Sequence, residues 1–509
     1  MSSRFWICLG FLCLLDAGAN LPFLRTTTIA QIDEARIAEV AREMVAGKDW
    51  LVPRIGGHPF ASYPPLGYWL IALSGLVLGF NEFSVRLPSA LAGIALVAVA
   101  GTIARRLAGD RAGLWSAAIL ATTPTFYLLQ SSARADVIVT LFAAIAFERF
   151  LAVADGARGW RPLTGFYGAL AAGVLTKGPL GLVIPALGIA GWLALRRRGR
   201  ILLDLKPWWG GLALLALVLP WFLAIARHPE CGPNFLRVTL LLENVRAFTD
   251  GFEQGQPLWF YAERGLPRLL PWLLVSIFVW RVRRTPGLSV ALLWAALVFL
   301  FLHLSSSKRA SYFTYLSPAF AVTTGIILAA LDEGTVRRAL FVVAGSVAVA
   351  AIAMPFLPIR WDLGWPVQDL VLPFALGTGA GAAALAFLTW RRGGDAGLAA
   401  LTILLLACVV VHLAVLGPRM DAEGRRWRDF VRRARATAAD VGTPDPIALE
   451  PCLHFYFERA LPRRDGPPGT YVVYESQRAS LLGRGLPVRI LDEVRDDRNR
   501  PIYLLQVLP

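Results

Sequence analysis

At 509 residues, 56% hydrophobic and 17% charged, with a mean hydropathy of +0.55, the chain carries more apolar material than a soluble protein of its length can bury. Its net charge of +16 would suggest nucleic acid in a soluble protein, but the basic residues here gather in short loops between apolar runs, which excludes that reading. The five cysteines (Cys8, Cys13, Cys231, Cys408, Cys452) form no CxxC pair, and at least three lie in or beside apolar segments, so no disulfide framework is expected.

In chain order, apolar runs occupy Phe5–Leu24, Val85–Ala104, Gly113–Gln130, Val137–Ala154, Leu163–Thr176, Pro179–Leu195 and Trp208–Ala226. They continue at Leu266–Trp280, Leu288–Leu304, Tyr312–Leu331, Leu340–Leu357, Val371–Trp390 and Ala399–Leu416. This predicts about thirteen transmembrane helices in an all-α polytopic membrane protein. The first run shares features of a signal peptide, with Ala17–Ala19 as the small-residue site, but its basic region is weak and it is read as a retained helix.

With the N-terminus inside, the basic loops at Arg105, Asp155, Arg196, Arg281, Val336 and Arg391 all fall on the inner face, as the positive-inside rule requires. An odd number of spans then puts the C-terminus outside. The run "PPLGYWLIALSGLVLGF" (Pro64–Phe80) would invert every later loop if it crossed the membrane. It is therefore predicted to be a juxtamembrane or re-entrant helix, with Tyr63, Tyr68 and Trp69 as headgroup-level anchors. The first outer loop thus spans residues 25–83, long enough to suggest function.

That loop begins with "IDEARIAEVAREMVAGKDW", in which Ile37, Val40, Ala41, Met44 and Val45 recur at helical spacing. Asp33 suits the N-cap or first turn, and Gly47 suits the end. Its acids fit two descriptions: complements to the helix dipole, or a base, Asp33, sharing a face with Arg36 beside an anion site. Glu39, Arg42 and Glu43 read as helix-face charges.

Farther along, "LLQSSARADVIV" puts Arg134 and Asp136 at the mouth of two helices, where interfacial capping and snorkelling would also explain them. "LTKGPLGLVIP" sets Lys177 on a tight turn, suited to an anionic headgroup or to a snorkelling lysine. "LSSSKRASYFTYLSPAFA" offers Lys308 and Arg309 among serines and tyrosines, donors of the kind phosphate oxygens accept from. The aromatics of residues 227–264 read as interface anchors. No histidine has metal-ligand spacing, and there is neither a P-loop nor a Rossmann fingerprint.

Past Leu416, "GPRMDAEGRRWRDFVRRARATAAD" is an Arg-rich amphipathic helix with Trp427, Phe430 and Val431 on its apolar side. The runs "PIALE", "LHFYF", "TYVVYE", "VRILDEV" and "IYLLQV" look like short strands. The expected division is a transmembrane domain, 1–417, and a small soluble α/β domain, 418–509. With no internal repeat visible, an inverted-repeat transporter is disfavoured.

Together with "YPPLGYWL", "FSVRLPSAL", "SARADV", "LTKGPL", "ENVRAF", "PLWFY" and "SSSKRASYFTYLSPAFA", the segment "DEARIAEVAREMVAGKDWLVPRIGG" resembles glycosyltransferase family 39 and its relatives, the protein O-mannosyltransferases and lipid A aminoarabinose transferases. The likeness runs from Met1 to about Leu331, after which only the general layout matches. It implies a C-type glycosyltransferase fold, a sugar donor on a polyprenyl phosphate, and an active site facing away from the cytoplasm. It assigns a catalytic part to Asp33 and Asp136, and donor-phosphate binding to Arg36, Lys177, Lys308, Arg309 and Tyr63. Many members carry an acid–Lys pair before the two prolines, where this chain has Ser62 and Tyr63, and the aminoarabinose branch has a histidine where this chain has Gln254. Both replacements imply that a metal site is lost, so no cofactor is expected.

The resulting expectation is an enzyme of the bacterial inner membrane. It would move a sugar from a polyprenyl-phosphate donor to lipid A or lipopolysaccharide, another envelope glycan, or a protein hydroxyl. A non-catalytic binder of lipid-linked sugar, or a flippase-like transporter, on the same scaffold is the alternative. An oligosaccharyltransferase-like enzyme is disfavoured by the small C-terminal region.

Overall fold

The structure, a computed structural model, describes residues 3–29, 31–240, 248, 256–257, 259–353, 381, 391, 393–411, 421–437, 441–443, 451–457, 461, 469–483, 487–495 and 500–508. Predicted run Val371–Trp390, all of "PIALE" and Gln254 therefore lie outside the described residues, apart from residue 381.

Helices dominate. In order they are α1 (Ser3–Asn20), α2 (Ile32–Ala46), α3 (Leu66–Leu78), α4 (Glu82–Ala108), α5 (Asp110–Ala121), α6 (Pro124–Gln130), α7 (Ala135–Ala154), α8 (Trp160–Lys177), α9 (Leu180–Arg196) and α10 (Pro207–Arg227). After these come α11 (Leu288–Leu304), α12 (Ser317–Ala330), α13 (Glu333–Ala353) and α14 (Gly394–Val411). Among the described residues, the helix of α1 with its following turn, α4, α7 and α10 are each long and apolar enough to cross a membrane. The expected single span Gly113–Gln130 is two helices, α5 and α6, bent by 65°. The break falls at Thr122–Thr123, whose hydroxyls bond back to carbonyls of α5, and Pro124 follows, which favours a new helix start. Run Leu266–Trp280 is likewise broken, into 3₁₀ segments Leu266–Leu269 and Trp272–Arg281.

These helices share one apolar core, in which α7 packs on α8, α5 on α12, and α4 on both α5 and α7. Between α8 and α9 the contact is made by bare backbone: a Cβ on Gly181 would lie 2.2 Å from the carbonyl carbon of Gly173. Only glycine permits that approach. Gly178, at φ +63°, makes the turn between the two helices, so Lys177 sits at a fixed corner.

A second core lies over α2 and α3. It is completed by α15 (Ala422–Thr437), α16 (Pro451–Phe457) and a four-stranded sheet ordered β3–β4–β6–β5. Its strands are β3 (Val441–Gly442), β4 (Gly469–Tyr474), β5 (Val488–Arg495) and β6 (Pro501–Val507); β3 pairs parallel and the others antiparallel. The remaining helix, α17 (Glu475–Gly483), packs on β4 and β6. A two-stranded ribbon, β1 (Arg54–Ile55) with β2 (His58–Pro59), closes the loop after α2.

Two expectations change here. "LHFYF" is helical, not extended: it forms α16, which packs against α2 and α15 with Leu453, His454, Phe455 and Phe457 all buried. A short run apolar on every side has no period to distinguish strand from helix. Tyr68, expected at headgroup level, is instead 2% exposed within the second core.

α2 is also buried on more than its apolar face. Glu39 and Arg42 form a fully buried pair at 2.7 and 2.8 Å, and Glu43 accepts from the amides of Gly56 and Gly57. They are not solvated charges, because α16 packs against α2 within the second core.

Candidate functional site

A cavity of about 170 Å³ opens between the first turn of α2, the end of α8, the start of α7 and the 3₁₀ segment Ala310–Tyr315. Its lining includes Asp33, Arg36, Ser62, Tyr63, Arg134, Asp136, Lys177, Arg309 and Tyr312. Four segments far apart in sequence thus bring their charges to one place, four cations against two carboxylates.

Deepest is a buried triad. Lys177 Nζ donates to Asp136 Oδ1 at 2.5 Å, and the Tyr315 hydroxyl donates to the same oxygen. Three rings surround the ammonium, with centroids 5.0 Å (Tyr63), 5.2 Å (Tyr312) and 5.8 Å (Tyr315) from Nζ. Cation–π contacts of this kind hold a desolvated ammonium without consuming its N–H groups. With one N–H on Asp136, others remain for an anion entering the cavity.

At the mouth, Asp33 is partly exposed and its Oδ2 lies 3.3 Å from Arg309 and 3.8 Å from Arg134. Its ion partners come from other segments; Arg36 lines the same cavity but forms no ion pair with it among the described residues. Asp33 is in the first turn of α2, and the N-cap position belongs to Gln31, whose side chain accepts from Arg134 instead of capping. Arg134 is itself 9% exposed, and its Nε finds no hydrogen-bond partner among the described residues.

What holds Asp33 in place is the neighbouring acid. Glu34 takes a two-pronged bond from Arg86 of α4 at 2.8 and 2.9 Å and a third from the Ala133 amide at 2.8 Å. Arg86 spends its other donors on the carbonyls of Leu24, Thr27 and Thr28 and the Thr27 hydroxyl. Burial pushes the Glu34 carboxyl up, but the Arg86 guanidinium and the Ala133 amide outweigh it and hold the group below the ordinary range. The same strand of chain is tied from the C-terminal side. Asp421 accepts from the Thr28 amide at 2.7 Å and hydroxyl at 2.6 Å, and the Tyr456 hydroxyl accepts from the Ile29 amide at 2.7 Å.

Of the residues singled out by sequence, Asp33, Arg36, Tyr63, Asp136, Lys177 and Arg309 all line the cavity. Lys308 does not: it is buried and donates to the Ser305 carbonyl at 2.7 Å. Adjacent residues in an extended loop face opposite ways, so Arg309 points in and Lys308 away. Sequence reasoning passed over Tyr312, Tyr315 and Arg86. The tyrosines stand in a quoted motif with nothing to rank them, and Arg86 looked like one more residue at the start of an apolar run.

Ser62 lines the cavity where the resemblance expects an acid. A neutral hydroxyl is a poor substitute for the anionic oxygen that divalent cations favour.

Comparison with known proteins places these observations. The dolichyl-phosphate-mannose-protein mannosyltransferase family matches residues 62–223. The undecaprenyl phosphate-alpha-4-amino-4-deoxy-L-arabinose arabinosyl transferase 2 of Sodalis glossinidius is 32% identical over 415 residues, covering 78% of this chain and 72% of that protein. Its counterpart from Edwardsiella ictaluri is 33% identical over 348 residues, 65% of this chain and 59% of that one. The crystal structure of ArnT from Cupriavidus metallidurans bound to undecaprenyl phosphate superposes with a TM-score of 0.81 at 20% identity, covering 100% of this chain and 99% of the other, which shows a common fold.

Proposed function

Because the chain belongs to the family of the undecaprenyl phosphate-aminoarabinose arabinosyl transferases, we propose that it is a membrane glycosyltransferase drawing its sugar, an aminopentose by analogy, from a polyprenyl-phosphate donor. The acceptor is an envelope molecule, lipid A being the first to test. The observation that carries this reading is the cavity itself, where Lys177 in its tyrosine cage, Arg134, Arg309 and Arg36 surround two carboxylates.

The chemistry follows from those groups. The donor's anomeric carbon–oxygen bond breaks, and the electron pair leaves with the phosphate, which turns from a monoanionic diester into a more highly charged monoester. Cations fixed in a poorly hydrated cavity favour that change and make a general acid unnecessary. Lys177 and Tyr63 suit the donor phosphate. Asp33 at the mouth takes the proton from the attacking acceptor oxygen. Asp136, expected beside Asp33 as a catalytic acid, has its Oδ1 occupied by Lys177 and Tyr315; it serves to hold Lys177. No step runs through a metal, since Ser62 and Gln254 stand where the family's ligands would be.

The full reading also includes about thirteen spans, a small α/β domain at 418–509, residence in the bacterial inner membrane with the N-terminus cytoplasmic, and the cavity and C-terminus on the outer side. Asp33→Asn in proteoliposomes supplied with the donor tests the mechanism. Transfer is expected to fall at least about a hundredfold with donor binding intact. Transfer at the wild-type rate would refute Asp33 as the base, and a wild-type protein that binds donor but never transfers would favour the non-catalytic binder.

A further inference from the structure

The transfer reading leaves one charged surface unused. On α15, Arg425, Arg428, Arg432 and Arg435 recur at i, i+3, i+7 and i+10 and are all exposed. That spacing sets them in one row, about 15 Å long at 1.5 Å per residue. Trp427, Phe430, Val431 and Ala434 occupy the opposite side and are buried in the second core, so the row cannot turn inward.

Its location is fixed by two contacts. Arg428 reaches Glu82, the first residue of membrane-crossing α4, at 2.7 Å, and its guanidinium lies 5.7 Å from the Tyr456 ring centroid. Just before Glu82, the end of α3 exposes Leu73, Leu76, Val77 and Leu78. Val77 is 81% exposed. Apolar side chains bared to that extent beside a spanning helix belong in lipid. Arg428 therefore anchors the row beside the level where the acyl region ends and headgroups begin.

We propose that this row is a docking surface for the phosphate groups of anionic membrane lipid. Guanidinium forks match phosphate oxygens in pairs, and a row anchored beside the headgroups at Arg428 can engage neighbouring lipids, with the exposed edge of α3 against their chains. The surface requires only that the chain be embedded in a bilayer, so it stands apart from the transfer chemistry. Coupled to that chemistry, it would gather phosphorylated lipid close to the mouth of the cavity.

The experiment uses the full chain in nonionic detergent, titrated with fluorescent phosphatidylglycerol doped into the micelles and read by anisotropy, with phosphatidylcholine as the neutral arm. Wild-type protein is expected to prefer phosphatidylglycerol and to lose the preference as salt is raised toward 1 M, where screening reaches about 3 Å. R425Q/R432Q/R435Q should weaken binding by roughly fivefold per arginine, about a hundredfold in all. The same positions changed to lysine should keep most of the preference, which separates loss of charge from loss of fold. Equal binding of both lipids, an unaffected glutamine variant, or a lysine variant as weak as the glutamine one would overturn the proposal. So would displacement by inorganic phosphate at matched concentration, which would indicate a free-phosphate site. K177M should bind phosphatidylglycerol normally while losing donor; if it loses both, the lipid probe sits in the cavity and the proposal fails, whereas failure of the transfer reading would appear only in the Asp33→Asn assay.

Discussion

Changing Glu34 to Gln keeps the side chain's volume and removes its charge. In the wild type, Arg86 is almost wholly buried and faces Glu34 at 2.8 and 2.9 Å. The variant leaves that guanidinium among carbonyls and one amide, a buried cation stripped of its hydrogen-bonded carboxylate. Breaking such a pair from one side costs about 3–5 kcal/mol. The cost falls on the segment that the pair holds, residues 24–36, which also carries Asp33. At 1.36 kcal/mol per tenfold, opening of that segment should become roughly two to four orders of magnitude more frequent, up to the limit set by global unfolding. Hydrogen exchange read by mass spectrometry on the detergent-solubilised chain measures it directly, with α7 peptides as the internal reference. A pH series sharpens the test. The folded-state pKa of Glu34 lies below its ordinary 4.5, so its stabilisation is complete above that value and is lost as pH falls through the lower folded value. Wild-type protection of residues 24–36 should therefore decline on acidification below about pH 4.5, and the Gln variant should lack that component. Exchange in the variant within threefold of wild type, or an identical acid profile, would refute the clamp.

Lys177→Met should abolish measurable donor binding, since the buried ammonium is the cation at the cavity's floor; donor titration in detergent checks it, and an unchanged affinity would remove Lys177 from the site. Lys308→Met should leave donor affinity within about threefold, because the lysine faces the Ser305 carbonyl and not the cavity. Tyr315→Phe should lower transfer by about tenfold, and donor affinity less, by freeing Asp136 to shift relative to Lys177. Gly181→Ala should separate α8 from α9 at a cost of about 1–3 kcal/mol or more, seen as a lower melting temperature together with slower transfer.

The candidate residues were legible because charges beside membrane-spanning runs are costly unless used, and Asp33, Asp136, Lys177 and Arg309 were therefore conspicuous against an apolar background. Their grouping in one cavity follows from the fold: Asp33 and Asp136 stand at helix starts, Lys177 at a helix end and Arg309 just before a 3₁₀ segment, and these ends meet. Pairwise geometry was not legible. Asp33 and Arg36 share a helix face, yet Asp33 meets Arg309, 276 positions away. Tertiary partners leave no periodic trace in the chain. The same holds for Glu39 and Arg42, which look solvated until α16 packs against their helix, and for "LHFYF", where uniform hydrophobicity carried no period to read.

The tie between Thr28 and Asp421 spans 393 positions, which gives it a meaning in time. At bacterial synthesis rates of about 5–20 residues per second, roughly 20–80 seconds pass between the emergence of its two halves. Every side chain lining the cavity is made before Asp421, the last being Tyr312. The nascent chain thus holds a full set of cavity residues well before the loop that carries Asp33 is fastened from both sides. Emergence of the segment around Asp421, and not insertion of the last cavity-lining residue, supplies the second fastening of the loop that carries Asp33.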